Sequence, residues 1–441
     1  MNTQTLSPSG ETWCYVHAEL PGRDSPVLVG KLLKDDDRKA TYFQYARSYI
    51  EDPEAPPIDP INAPKIQGAK YSWPITREHS GIPGCISDAG AVDDFSKRAQ
   101  LIMQHALAPD RPPITDIDYL ILASSEGVGN LFFSQQRTLK ERPKLVTRPF
   151  ENAEDIMEVA LDIDEGKDIT PEKAIFFKEG SGTGGSRPKT QIREGNKVYI
   201  AKFPRPNDPF NDTVAEYVSL KMARKAGIDT ANAKLLSTVK GDVLLVERFD
   251  IDEAGHRKQL ISAHSLSNIY SLRESNHENS SYPAIVRLAE QVKPGCNKDK
   301  IISKKMFRRL MFNVCIGNTD DHMRNHAFLN GELSPCYDVN SNLRVGSHSI
   351  AISQFGTSVT QDNLELSAKE MGLDAHEAQE VLKDVLDATE NWQDEMRSAG
   401  MLDRDINQLK HCYSQREKVQ RYLDTLTSAE KQRERYKGIS R

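Results

Sequence analysis

The hydrophobic pattern of this 441-residue chain changes character past its middle, and that change limits the folds open to it. Up to about residue 250, short runs rich in β-branched and aromatic residues alternate with Gly, Pro and Asp, which is typical of strands and turns. From about Ile261 onward, apolar residues recur at helical spacing. The sequence therefore predicts an α+β protein with a β-rich first half and an α-rich second half.

Individual segments carry their own predictions. Strands are predicted at residues 13–20, 27–33, 40–49, 119–123, 127–133, 173–178, 197–203 and 242–250. Helices are predicted at residues 93–105, 151–165 and 213–226, the last of them stopped by Gly227. We divide the chain into a β-rich N-terminal subdomain (1–150), a unit with a glycine-rich loop (151–260) and an α-helical unit (261–441).

Charge and composition argue against several classes of protein. The formal net charge of −6 disfavours non-specific nucleic-acid binding by the whole chain, and no apolar run approaches the roughly 20 residues of a membrane-spanning helix. The N-terminus lacks the basic and apolar regions of a secretory signal, so a cytoplasmic location and no membrane partner are expected. The six cysteines include no CxxC pair, which suggests neither a disulfide framework nor a cysteine zinc site.

A glycine-rich loop precedes a lysine-bearing strand. Gly180, Gly182 and Gly185 match G-x-G-x-x-G, but the loop runs toward a β-type segment rather than opening a helix, as a dinucleotide site requires. It also lacks the lysine that follows the last glycine of a Walker A loop. The remaining interpretation is a kinase-style loop over nucleotide phosphates, with Lys202 as the phosphate-contacting lysine. The alternative for Lys202 is an edge lysine; Glu216 is its candidate ion-pair partner or an ordinary exposed glutamate.

The densest polar cluster, residues 318–326, follows an apolar helical segment and precedes another apolar run. Asp320 and Asn325 have the D-x4-N spacing of a kinase catalytic loop, in which Asp handles the substrate hydroxyl proton and Asn binds Mg²⁺. Asp338, thirteen residues later, stands where a kinase has its second metal-binding aspartate. Two alternatives are a zinc site at His322 and His326, which lacks the glutamate of H-E-x-x-H, and a plain polar turn.

With these motifs together, the chain resembles the HipA family of serine/threonine kinase toxins over nearly its whole length. The resemblance rests on a nucleotide loop, a hinge, a catalytic loop and a metal aspartate, found respectively at residues 183–189, 246–250, 318–329 and 337–338. Residues 29–32 and 128–133 are similar to parts of the family's N-terminal subdomain. The resemblance implies a two-lobed protein-kinase-like fold that uses ATP and Mg²⁺ to phosphorylate a protein serine.

The resemblance also implies partners and residue roles. The family's partner is a DNA-binding HipB-like antitoxin, and this chain would then contact DNA only indirectly, through that antitoxin. The best-known substrate in the family is an aminoacyl-tRNA synthetase. Asp320 is then the catalytic base, and Asn325 and Asp338 are the metal ligands. The implied ATP-binding residues are Gly184, Gly185, Ser186, Arg187, Pro188, Lys189, Lys202, Glu247, Arg248, Phe249, His322 and Tyr337.

One position departs from the family pattern. Gly182 stands where the family carries its inhibitory autophosphorylated serine, which leaves Ser181 and Thr183 as shifted candidates. Two other functions are weighed against a protein kinase: a small-molecule phosphotransferase, and a co-repressor that acts mainly by binding its antitoxin.

Overall fold

The structure is a computed structural model, and it describes residues 11–77, 79–90, 94–110, 114–145, 147–177, 187–269 and 275–439. The chain forms two compact units, each built from separate stretches of sequence. Unit 1 contains Met1–Arg205, Leu236–Leu272 and Phe328–Asn330. Unit 2 contains Pro206–Leu235, Arg273–Ala327 and Gly331–Arg441. The division into 1–150, 151–260 and 261–441 stays a prediction.

Unit 1 begins with an antiparallel sheet. Its strands are β1 (Glu11–Ala18), β2 (Val27–Asp35), β3 (Ala40–Tyr45), β4 (Tyr71–Pro74) and β5 (Leu131–Ser134), in the order β4-β3-β2-β1-β5. Side chains along β1 alternate in burial, and Cys14 and Val16 are fully buried. The predicted strands at 13–20 and 27–33 are confirmed by β1 and β2, whereas the one at 40–49 is confirmed only as far as Tyr45, because residues 47–49 lie in the helix Arg47–Glu51.

Four helices accompany this sheet: α1 (Arg47–Glu51), α2 (Gly84–Gly90), α3 (Asp94–Leu107) and α4 (Asp116–Ala123). The predicted helix at 93–105 is confirmed by α3. The predicted strand at 119–123 is wrong, because these residues belong to α4. A short apolar run does not distinguish strand from helix, and the deciding signal was the capping box in which Thr115 and Asp118 bond each other's backbone N–H.

The second sheet of the fold has the strand order β6-β7-β8-β10-β9. Its strands are β6 (Arg148–Pro149), β7 (Lys189–Glu194), β8 (Lys197–Lys202), β9 (Ala233–Thr238) and β10 (Gly241–Glu247). Two helices, α5 (Ala153–Asp164) and α6 (Pro171–Phe177), share a hydrophobic core with β7, β8 and β10. The predicted helix at 151–165 and the strand at 197–203 are confirmed, and the predicted strand at 242–250 is confirmed as far as Glu247, after which the chain turns.

The predicted strand at 173–178 is wrong over its described residues, which lie in α6. Pro171 opens α6 at a position where the missing N–H of proline costs nothing, and the buried Ala174 and Phe177 lie three residues apart on one helix face. Unit 1 also holds β11 (Leu260–Ser262) and α8 (Ala263–Ser267).

Unit 2 is mainly helical. Its first helix, α7 (Asp212–Lys225), is followed by Gly227 at φ +78°, as predicted. Two short strands follow the predicted catalytic loop in the sequence: β12 (Ala327–Leu329), of which Phe328 and Leu329 are assigned to unit 1, and β13 (Glu332–Leu333) in unit 2. The remaining helices are α9 (Tyr282–Val292), α10 (Ile301–Ile316), α11 (Gln361–Glu370), α12 (Ala375–Thr389), α13 (Trp392–Ser398), α14 (Asp403–Tyr413) and α15 (Arg416–Ile439).

Helix α10 is the central helix of unit 2. It packs against α9, α12, α14 and α15, and its side chains are buried on most of its circumference, including Met306, Phe307, Leu310 and Val314. A helix that is buried on most of its circumference lies inside a core, and the side chains of α10 that remain partly or fully exposed, such as Lys304, Lys305 and Arg308, are in its first half. In the part of the chain that the structure describes, no helix is both long and apolar enough to cross a membrane.

Candidate active site

The predicted catalytic loop begins where α10 ends. Gly317 has φ +69°, and its N–H donates to the carbonyls of Asn313 and Val314, which closes the helix. A β-carbon at this position would lie 2.6 Å from the carbonyl oxygen of Cys412. Glycine is therefore required here both by the backbone conformation and by the close approach of α14.

Asp320 and Asn325 lie at opposite ends of this loop. Asp320 is exposed, whereas Asn325 is buried in a single 3-10 turn spanning Met323–Asn325. The backbone N–H of Asn325 donates to the carbonyl of His322 at 2.8 Å, which tightens the turn. The D-x4-N spacing thus yields a carboxylate accessible to solvent and an amide anchored in the protein interior.

Asp321 holds the loop between these two residues. It is 3% exposed, and its Oδ2 accepts hydrogen bonds from Tyr282 Oη at 2.6 Å, Asn313 Nδ2 at 2.8 Å and His326 Nε2 at 2.9 Å. Burial alone would raise the pKa of Asp321, but its contacts with His326 and Tyr282 more than offset this and hold the pKa below its usual value. A buried charge with three donors fixes the backbone on both sides of it.

No sequence motif marks Asp321, Tyr282 or Asn313 as members of the site. A signal for one of them was present, since Asn313 lies in an apolar stretch of α10 and a buried amide requires polar partners. No local signal paired it with Tyr282, which lies 31 residues away.

The segment around Asp338 is attached to the same loop. Tyr337 Oη donates to the carbonyl of Arg324 at 2.7 Å, immediately before Asn325. The preceding residue, Cys336, pairs with the backbone next to α7, because its N–H donates to the carbonyl of Asp229 at 2.8 Å. The structure therefore connects the chain segments of Asn325 and Asp338 directly.

Asp338 itself has a positive φ of +58° and is partly buried. Aspartate enters this region more readily than most residues, yet such conformations cost about 1–3 kcal/mol and cluster at functional sites. Two residues later, Asn340 Nδ2 donates to the carboxylates of Asp212 at 3.3 Å and Glu216 at 3.4 Å. Glu216 is only 1% exposed, so it is not the ordinary exposed glutamate of the alternative interpretation.

Part of the predicted nucleotide loop lies outside the described residues, namely Ser181, Thr183, Gly184, Gly185 and Ser186. Of the described part, Pro188 is buried, and Arg187 and Lys189 are partly exposed. Lys189 and Lys202 are directly opposite each other on β7 and β8. Side chains at directly opposite positions of two antiparallel strands lie on the same face of the sheet, so Lys189 and Lys202 are neighbours on one face.

Two further predicted ATP-binding residues, His322 and Glu247, lie in the part of the chain that the structure describes. His322 is partly buried, and its Nδ1 has no hydrogen-bond partner among the described residues. The carboxylate of Glu247, at the end of β10, accepts from Lys197 Nζ at 2.9 Å. Phe249, two residues further on, is partly exposed.

Arg248 is buried, whereas its neighbours Glu247 and Phe249 are partly exposed. Its side chain is 1% exposed, and all five of its N–H groups donate within the protein. Nε and Nη2 donate to the carboxylate of Asp250 at 3.1 and 2.6 Å. Nη1 donates to Gln191 Oε1 at 2.7 Å and to the Glu126 carbonyl at 3.1 Å. Nη2 also donates to the Gly127 carbonyl at 2.9 Å. With its donors saturated, this guanidinium has none left for ATP, and the backbone N–H of Arg248 donates to the Val198 carbonyl at 2.9 Å, so of its backbone groups only the carbonyl could contact a nucleotide.

Comparison with solved structures defines the class of fold. The HipA chain of the Shewanella oneidensis MR-1 toxin–antitoxin complex of HipA, HipB and operator DNA matches with a TM-score of 0.63, covering 94% of this chain and 98% of that one. The sequence identity is 15%, so the likeness is one of fold. The chain has the HipA kinase-like fold, as the sequence predicted.

Comparison of sequences points in the same direction. Residues 181–393 match the model of the HipA-like C-terminal domain. This part of the chain is therefore similar to the HipA-like C-terminal domain. A Haemophilus influenzae protein that carries the name "Putative kinase" is 25% identical in an alignment of 195 residues, which covers 38% of this chain and about half, 54%, of that relative's length.

Proposed function

We propose that this protein is an ATP- and Mg²⁺-dependent serine/threonine protein kinase of the HipA type. Asp320 accepts the proton of the substrate hydroxyl as the γ-phosphate is transferred, because it is the exposed carboxylate of the loop. Asn325 and Asp338 are the metal ligands. The observation that carries this proposal is the bond from Tyr337 to the Arg324 carbonyl, which links the two segments bearing these ligands.

The residues present suit the two cofactors. Mg²⁺ prefers oxygen ligands and is usually held by one or two carboxylates together with the phosphates of the nucleotide. The amide oxygen of Asn325 and the carboxylate of Asp338 are donors of this kind. When bound, ATP supplies the phosphoryl group, and the ion neutralises charge on its phosphates.

Cationic and hydrogen-bonding groups are available for the nucleotide. Lys189 and Lys202, opposite each other on β7 and β8, are the proposed cationic contacts of the phosphates, and Nδ1 of His322, which has no hydrogen-bond partner in the described part of the chain, offers a further polar contact. The glycine loop, with Gly184, Gly185, Ser186, Arg187 and Pro188, covers the phosphates in this proposal. Glu247, Phe249 and the backbone of Arg248 form the adenine side, and Tyr337 completes the set.

The proposal extends to regulation and partners. Autophosphorylation falls on Ser181 or Thr183, where added negative charge would repel the phosphates of ATP. The partner is a HipB-like antitoxin that makes the DNA contacts, which is supported by the Shewanella HipA having been solved with HipB and operator DNA. The substrate is a protein serine in the cytoplasm, and an aminoacyl-tRNA synthetase is the first candidate from the family resemblance.

The test is transfer of the labelled γ-phosphate of ATP to proteins of a cell extract. Wild type should label a protein in the presence of Mg²⁺, and Asp320→Ala should reduce transfer at least 100-fold while still binding ATP, because a group that orients the nucleophile acts mainly in the transition state. Asp387→Ala, an exposed carboxylate on α12, is the matched control and should remain active.

Two outcomes would overturn the proposal. Label appearing only in small molecules would indicate a small-molecule phosphotransferase. No transfer by wild type, combined with tight binding to a co-expressed DNA-binding partner, would indicate a co-repressor.

A further inference from the structure

A turn in the N-terminal part of the chain is held by two buried arginines that follow β10. Four consecutive carbonyl oxygens, those of residues 124–127, accept hydrogen bonds from guanidinium groups. Arg257 donates to Ser124 at 3.4 Å and to Ser125, and Arg248 donates to Glu126 at 3.1 Å and Gly127 at 2.9 Å.

The position of this turn explains why it attracts cations. It follows directly on α4, whose C-cap is Ser124, and the C-terminal end of a helix carries partial negative charge. Arg248 and Arg257 are 4% and 7% exposed, so these contacts are hardly weakened by solvent. Burial and the neighbouring charge of Arg248 lower the pKa of Arg257 to about 9, which leaves it positively charged at neutral pH.

The same network includes the side chains of Arg248 and Asp250, the residues on either side of Phe249. Asp250 accepts two bonds from Arg248 and a third from the N–H of Gly129 at 2.7 Å. Burial alone would raise the pKa of Asp250, but the charge and hydrogen bonds of Arg248 hold it below its usual value. The residues flanking Phe249 are thus both tied to the segment that follows α4.

We propose that Arg248 and Arg257 are positioning residues for nucleotide binding, and that the turn at residues 124–129 is the template that fixes the hinge at residues 246–250. This inference rests on the proposed function, because it concerns the hinge of that nucleotide site. It gives the first 150 residues a role in the site itself. Arg248 acts through the backbone of its neighbours rather than by touching ATP.

The loss of this network can be measured with Arg248→Lys in the full chain. Lysine keeps the positive charge but has three donors in place of five, and it lacks the planar fork that pairs with Asp250. The control is Arg205→Lys, because Arg205 forms a similar two-bond pair with Asp164 in unit 1, at 2.6 and 2.8 Å, and is not part of the network.

Two readouts separate positioning from stability. In hydrogen exchange without nucleotide, the amides of residues 247–249 should exchange at least tenfold faster in Arg248→Lys than in wild type and should be unchanged in Arg205→Lys. The dissociation constant of a fluorescent ATP analogue should rise at least tenfold in Arg248→Lys and less than twofold in Arg205→Lys, even where the two variants have similar melting temperatures.

The outcomes remain distinguishable. Unchanged exchange at residues 247–249 in Arg248→Lys, or equal loss of nucleotide affinity in the two variants, would overturn the inference. If the amides exchange faster in Arg248→Lys but the wild type binds no nucleotide, the proposed function and the role of Arg248 in nucleotide binding are both overturned. The conclusion that the turn at residues 124–129 fixes the hinge would then still stand.

Discussion

At the scale of single residues, the site depends on polar groups that no motif names. Asp321 is adjacent to the predicted base, yet its carboxylate points into a network with Tyr282, Asn313 and His326. Removing one member of such a network leaves the other members without hydrogen-bond partners, and an unpaired buried donor costs about 1–3 kcal/mol. Asp321 therefore links the stability of unit 2 to the geometry of the loop.

We expect Asp321→Ala to lower the free energy of unfolding by about 3 kcal/mol, because three donors lose their acceptor. We also expect kcat to fall at least tenfold with a smaller change in the KM for ATP, because the variant misplaces the base rather than the nucleotide. Asp321→Asn keeps one acceptor oxygen and should recover part of both losses. Urea unfolding and steady-state kinetics measure the two effects, and an unchanged kcat in the folded Asp321→Ala protein would contradict this role.

At the scale of elements, the loop is set by the way α10 ends. Two glycines allow this to be tested, because Gly317 and Gly372 both have positive φ, at +69° and +74°. An added β-carbon at Gly317 meets the backbone of Cys412, whereas at Gly372 it meets no atom of the described residues within 4 Å. The two sites thus share the conformational requirement and differ in packing.

Gly372→Ala should cost about 1 kcal/mol, the penalty for placing an L-residue in the left-handed region. Gly317→Ala should cost at least about 2 kcal/mol more, because α14 must shift to avoid the clash. Free energies of unfolding from urea titrations measure both. Equal costs would mean that the contact with Cys412 is readily relieved.

The start of α12 provides an electrostatic test. Glu377 closes the capping box with Asp374 and accepts from Lys300 at 2.7 Å, and Lys304 lies 3.1 Å away. The hydrogen bond from Lys300, followed by the capping bond at Asp374, lowers the pKa of Glu377 to about 2. A carboxylate whose pKa is depressed by folding stabilises the protein above its unfolded pKa, and that stability is lost as the pH falls through the folded pKa.

Glu377→Gln should therefore reduce the free energy of unfolding by about 1 kcal/mol at pH 7, a value that allows for solvent screening of the pair. The difference from wild type should shrink as the pH is lowered from about 4.5 toward 2. Glu380→Gln on the same helix is the control, since Glu380 is exposed and its contact with His376 is 3.7 Å long. A difference that grows on acidification would contradict the assignment.

At the scale of the full chain, the boundaries of the matched domain family differ from the boundaries of the folded core. The HipA-like C-terminal match begins at residue 181, but the core of the second sheet includes α5 and α6, which precede it. A fragment of residues 181–393 would expose the buried side chains of Ile192, Ala201 and Leu245.

We expect this fragment to be unfolded or aggregated when expressed alone, because an uncovered apolar sheet face does not remain stable in water. Circular dichroism and size-exclusion chromatography against the full chain measure this. A monomeric fragment with a cooperative thermal transition would show that α5 and α6 are dispensable for the fold.

The sequence by itself determined features that depend on neighbouring residues. Helical spacing and caps marked α3, α5 and α7, alternation marked β1 to β3, and the spacing of Asp320, Asn325 and Asp338 gave the order of the predicted catalytic set. Such patterns can be read locally because a helix or a strand repeats its exposure every few residues. Where the local pattern was short and apolar, in α4 and α6, the same method predicted strands and was wrong.

Only the tertiary structure decided how distant polar groups pair. The resemblance made Arg248, within the hinge, a nucleotide contact, but its donors are saturated by Asp250, by Gln191 and by a turn more than 120 residues earlier in the chain. Asp321 looked like one polar residue among several, and its partners Tyr282 and Asn313 come from two separate helices. The physical reason is that burying a charge requires specific partners at hydrogen-bond distance, and the fold alone determines which residues come that close.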